Sequence, residues 1–112
     1  MDVARVARTA ERHGERFYTR FFTSEERRKC EGQPHRLAAR IAAKEATAKA
    51  LGTGIGAVSW TEIEVDGDER GRPILLLHGN AARLAADLGL TTWEISLSHT
   101  HEQAIAFVVM TG

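Results

Sequence analysis

A chain of 112 residues, 43% of them hydrophobic and 27% charged, has room for one domain with one modest core and none for a second. No run approaches the roughly 20 apolar residues of a membrane span, and Met1 is followed by Asp2 and a series of arginines instead of a signal-peptide core, so a cytoplasmic protein is expected. The formal charge is zero, yet residues 1–49 hold 12 Lys and Arg against 7 Asp and Glu (+5), while residues 50–112 hold 3 against 8 (−5). A basic first half suits nucleic acid, phosphorylated cofactors or an acidic protein, and the charge does not choose among them. A core this small gains from assembly into an oligomer.

From Val3 the apolar positions Val3, Val6, Ala7 and Ala10 recur at helical spacing. Arg5, Arg8, Arg12, Arg16 and Arg20 follow on the other face, with Gly14 as a possible interruption. Phe17, Tyr18, Phe21 and Phe22 beside those arginines suggest a binding surface; the alternative is a solvated charged face. Thr23-Ser24-Glu25-Glu26 reads as a capped helix start, giving a short helix that ends near Gly32-Gln33-Pro34. A longer helix is predicted from His35 to Leu51, stopped at Gly52. Its apolar stripe is Leu37, Ile41, Ala48 and Leu51, with Lys44 on the stripe and Glu45 at its edge. Charges placed there need a ligand, an ion or a subunit contact, unless Glu45 and Lys49 merely form an i,i+4 surface pair.

Short extended segments follow. Ile63 to Val65 and Ile74 to Leu77 flank a turn at Asp66 to Gly71, reading as a hairpin. Asn80 is expected to cap a helix carrying Leu84 and Leu88 that ends at Gly89. Trp93, Ile95 and Leu97 alternate with polar residues, and Ala104 to Met110 is an apolar strand, the two joined through His99-Thr100-His101-Glu102. The fold class is α+β, with helices early and strands late. The glycine run at 52–56 follows a helix and lacks Gly-Lys-Ser/Thr, so it reads as a helix stop instead of a phosphate loop. Cys30 has no disulfide or zinc partner, and no nucleophile elbow is present.

Residues 36–56, RLAARIAAKEATAKALGTGIG, resemble the signature helix of the holo-(acyl-carrier-protein) synthases. Arg-His-Gly-Glu-Arg-Phe at 12–17, Phe-Thr-Ser-Glu-Glu at 22–26, Gly-Arg-Pro at 71–73 and Ser-Leu-Ser-His-Thr at 96–100 match in the family's order, so the resemblance spans nearly the whole chain. It implies a single transferase domain over 1–112, a 4'-phosphopantetheinyl transferase-like fold with helices on a small antiparallel sheet, and a cytoplasmic homotrimer with shared active sites. The implied reaction is magnesium-dependent transfer of phosphopantetheine from coenzyme A to a serine of apo acyl carrier protein, serving fatty acid biosynthesis. Glu45 matches the metal-binding glutamate; Arg40, Lys44 and Lys49 match cations gathered against the cofactor's phosphates, and Lys49 and His99 join Glu45 as catalytic candidates. Arg5, Arg12, Arg16, Phe17 and Arg20 match the surface that docks the carrier protein, with no part for nucleic acid or membrane.

The family also has a first strand ending Gly-x-Asp and continuing Ile-Val-Glu-Val-x-Arg, whose aspartate is a second metal ligand. That strand is expected to be missing here, and Asp2, three residues before Arg5, is expected not to replace the ligand. The alternative reading is therefore a catalytically silent module that binds the carrier but lacks a complete metal site.

Overall fold

The computed structural model describes all 112 residues as five helices and two antiparallel hairpins. Helix α1 (Val3–His13) starts at Asp2, whose carboxylate accepts the Arg5 N–H, and buries Val3 and Val6. Gly14, at φ 54°, breaks it, and α2 (Glu15–Phe21) resumes in a new direction. The arginine stripe therefore lies on two short rods. Thr23 and Glu26 form a reciprocal capping box for α3 (Ser24–Cys30).

Helix α4 (Pro34–Ala50) opens with proline in its first turn, one residue before the predicted start, and runs through the middle of the protein. Leu37, Ile41, Ala48 and Leu51 are buried as the stripe required. Its first half packs on the aromatic cluster of Phe17 and Phe22, and its second half joins a separate core of Val58, Ile63, Val65 and Leu75. The backbone N–H groups of Thr53 and Gly54 both reach Ala48 O, so the glycine run does end the helix.

A 3₁₀ turn at Trp60–Glu62, which periodicity did not foretell, leads into β1 (Ile63–Gly67), paired with β2 (Pro73–Leu77). Helix α5 (Gly79–Asp87) begins after His78, and Asn80 does not cap it: the Asn80 N–H goes to Glu62 instead. Strands β3 (Thr92–His99) and β4 (Ala104–Thr111) form the second hairpin. Trp93, Ile95, Leu97, Ala106, Val108 and Met110 turn inward. Ile105, Phe107 and Val109 turn outward at 53%, 71% and 60% exposure. No strand precedes α1, yet Met1 pairs with β4: its N–H₃⁺ donates to Ala104 O (2.9 Å) and its carbonyl accepts from Ala104 N (2.8 Å). No helix is long and apolar enough to cross a membrane.

Candidate active site

Ile41 and Glu45, one turn apart on α4, face the start of α1 across a pocket of about 490 Å³. Its walls include Asp2 and Arg5 from α1, Phe17 and Phe21 from α2, and Trp60, whose indole packs on Phe21 at 4.8 Å between centroids. Glu45 has no hydrogen bond or ion pair to any protein group; the surface pair with Lys49 does not form. Asp2 spends Oδ1 on the Arg5 N–H (3.2 Å). Two carboxylates, one wholly unpartnered, thus border one pocket from nearly opposite ends of the first half of the chain.

This arrangement sets Asp2 beside Glu45 on one pocket, where the sequence expectation left Asp2 out of the ligand set. Aligned on its aspartate, Asp-Ile-Val-Glu-Val-x-Arg falls on Asp2-Val3-Ala4-Arg5-Val6-Ala7-Arg8, matching Asp2, Val6 and Arg8, with Arg5 where the family has glutamate. Counting back from Arg5 had shifted the register by three. The set fits magnesium, which takes one or two protein carboxylates and completes its shell with waters and substrate phosphate oxygens.

Lys44 requires a second correction. Its side chain is wholly buried, and Nζ donates to Glu26 Oε1 (2.6 Å), Ile63 O (2.7 Å) and Trp60 O (2.9 Å). An ammonium has three protons, and all three are committed inside the protomer, so none remains for a phosphate. Burial pushes this lysine's pKa below its usual range, with Glu26 opposing the shift. Lys44 is a structural cation that ties α4 to α3, to the 3₁₀ turn and to β1.

Lys49 lies one turn beyond Glu45 on the same face, exposed to solvent. Arg40 is half-buried, and its buried Nε–H has no acceptor in the protein, an unpaired donor suited to an anion. It does not line the Glu45 pocket. Nor does His99: its ring, at the end of β3, stacks against His35 at the start of α4, with centroids 4.6 Å apart and planes 34° from parallel. His35 and Glu45 are ten residues apart on one helix, about 15 Å along its axis. One protomer therefore brings Asp2 and Glu45 to one pocket, whose lining includes none of Lys49, Arg40 and His99.

Arg5, Arg8, Thr9, Arg12 and His13 line one shallow groove on α1, and Thr9, His13, Arg16, Phe17, Arg20 and Phe21 line a second where α1 meets α2. The five arginines are exposed, none held by a carboxylate. Phe17, at 4% exposure, packs on Tyr18, Phe21 and Phe22 and forms the groove's floor. Thr9, His13 and Phe21 had not been singled out for this groove; the one-turn spacing of Thr9 and His13 beside Arg5 and Arg12 was the available signal.

The sequence profile described as the 4'-phosphopantetheinyl transferase superfamily matches residues 1–108. The chain is 46% identical over 119 aligned positions to a holo-[acyl-carrier-protein] synthase of Herpetosiphon aurantiacus, covering 100% of this chain and 94% of that protein. Among solved structures, the holo-[acyl-carrier-protein] synthase of Neisseria meningitidis superposes with a TM-score of 0.90 at 34% identity, covering 100% and 93% of the two chains. The Helicobacter pylori holo-[acyl-carrier-protein] synthase in complex with coenzyme A also gives 0.90, at 28% identity over 99% and 95%.

Proposed function

This chain belongs to the 4'-phosphopantetheinyl transferase superfamily, and from that membership we propose how its own residues carry 4'-phosphopantetheine from coenzyme A to apo acyl carrier protein. In the reaction the carrier's serine oxygen bonds to the coenzyme's β-phosphorus, the bond to the adenosine 3',5'-bisphosphate half breaks, and the serine proton is released. The observation that carries the proposal is the convergence of Asp2 and Glu45 on one pocket. These two carboxylates would hold magnesium, which offsets the pyrophosphate's charge as it is attacked. Lys49 supplies a cation on the same helical face, and Arg40's unpaired Nε–H supplies a donor for a phosphate oxygen. His99 is assigned to the reaction centre as an acceptor for the serine proton or as a contact that orders it.

Because His99 packs at the far end of α4 from Glu45 within one protomer, the complete centre draws on a second copy. The outward Ile105, Phe107 and Val109 give that copy an apolar face, and the assembly proposed on it is a homotrimer with sites between subunits. The basic grooves of α1 and α2 face the acidic carrier, with Arg5, Arg12, Arg16 and Arg20 steering its approach and Phe17 flooring the contact. Holo carrier protein made this way serves acyl-chain synthesis in the cytoplasm, where an unpaired buried thiol such as Cys30 is at home. The silent-module alternative is not favoured by the relatives, which are holo-[acyl-carrier-protein] synthases, and Asp2 beside Glu45 supports the active reading.

The test is turnover against magnesium concentration, read as mass gain on the carrier. Asp2→Asn keeps an N-cap residue and removes only charge, and Glu45→Gln keeps shape. Each is expected to raise the magnesium needed for half-maximal turnover by about ten- to a hundredfold, and the pair to abolish turnover, with folding retained. An Asp2→Asn enzyme with the parent's magnesium dependence would overturn the carboxylate-pair assignment.

A further inference from the structure

The imidazoles of His35 and His99 pack against each other at a tilt and join the start of α4 to the end of β3. His35 stands in the first turn of α4, beside Pro34, whose fixed φ stiffens that turn. His99 is the last residue of β3, immediately before the bend at 101–102 that joins the strands. The hairpin end leaves the His99 side chain exposed, and no hydrogen bond restrains either of its ring nitrogens. The His35 ring is the one aromatic group that touches it, at 4.6 Å and 34°.

We propose that His35 is a positioning residue that fixes the plane of the His99 imidazole by stacking against it, so that His99 is presented in one orientation to the reaction centre of an adjoining copy. The inference rests on the assignment of His99 made above. A flat ring on a rigid helical turn restricts χ1 and χ2 of its neighbour, and an aromatic pair of this geometry shifts a rotamer population about two- to tenfold. Charge supports the same arrangement. Burial, then the neighbouring His99, Arg36 and His101, hold the His35 pKa below the usual imidazole range. The lowered pKa favours the uncharged His35 ring, the form that packs against a neighbouring imidazole without charge repulsion. Arg36, whose guanidinium is engaged by Lys29 O and Glu31, keeps the local field positive.

The experiment is a double-mutant cycle on the intact enzyme, with turnover followed across pH and the histidine ring protons followed by NMR. His35→Ala is expected to lower kcat about two- to tenfold with little change in KM for the carrier, and His35→Phe, which restores a flat ring, to recover most of the loss. In a His99→Ala background, His35→Ala should have no further effect. The His99 ring-proton chemical shifts should move on His35→Ala, as the ring current of the packed neighbour is lost. An equal loss on His35→Ala with and without His99, or no loss where His99→Ala is itself damaging, overturns the positioning role. If His99→Ala leaves turnover unchanged, the assignment of His99 falls and takes the catalytic part of this inference with it. The packing itself is then judged by those ring-proton shifts, and a His99 signal indifferent to His35→Ala refutes it.

Discussion

Replacing Lys44 by methionine is the most demanding perturbation of this fold. Methionine fills most of the space but strands the Glu26 carboxylate, which is 1% exposed and keeps only the Thr23 and Val65 N–H groups, each at 3.0 Å. It also strips Trp60 O and Ile63 O of their donor. Removing one partner of a buried ion pair costs about 3–5 kcal/mol. At an unfolding entropy of about 2.1 cal/mol/K per residue, that is a fall of about 13–21 °C in melting temperature for a chain of this length. Thermal unfolding followed by circular dichroism measures it. Adding Glu26→Gln to Lys44→Met removes the stranded charge and supplies an amide donor, so the double variant should regain about half the loss. Well below its melting point, Lys44→Met should bind coenzyme A with an affinity close to the parent's. A variant that melts within about 2 °C of the parent while its KM for coenzyme A rises tenfold would refute the reasoning and return Lys44 to the phosphates.

Arg16→Glu with Arg20→Glu should weaken carrier-protein binding about ten- to a hundredfold at low salt, with coenzyme A affinity unchanged; calorimetry with each ligand separates the two, and unchanged carrier affinity would remove the docking assignment. Phe107→Glu places a charge on the outward face of β4, where the side chain is 71% exposed in the protomer. It should leave the circular dichroism spectrum intact while sedimentation shifts from trimer to monomer and turnover collapses. A fully active monomer would refute the shared site.

Most elements were readable from periodicity and caps. Thr23 with Glu26, Pro34 and the glycines after Leu51 mark boundaries by local chemistry, and local chemistry decided them in the structure as well. The Trp60–Glu62 turn was not legible, since three residues carry no period and the turn is held by Ser59 and Glu62 capping each other. Lys44 was rightly singled out as misplaced on an apolar stripe, but its partner, Glu26, lies 18 residues away, a distance no helical repeat spans. The sequence could name the anomaly without naming what resolves it. Phe17, flanked by Arg16 and Tyr18 along the chain, turns its ring to Tyr18, Phe21 and Phe22, a choice of side that spacing alone does not make. The nearness of Asp2 to Glu45 was not legible either, since it depends on the pairing of Met1 with Ala104, a contact across 103 positions.

Lys44 and Glu45 are consecutive, so one turn of α4 holds both the cation that locks the helix and the carboxylate left free for chemistry. Their directions differ by about 100° and cannot be adjusted separately, because a helix rotates as a unit. Occupancy of the Glu45 pocket and integrity of the Lys44 network are then thermodynamically linked. Whatever binds the folded pocket at a concentration a hundred times its dissociation constant adds about 2.7 kcal/mol to folding stability. Amide exchange in α3, which makes no contact with that pocket, should slow on saturation, and weakening α3 at Glu26 should in turn loosen the ligand.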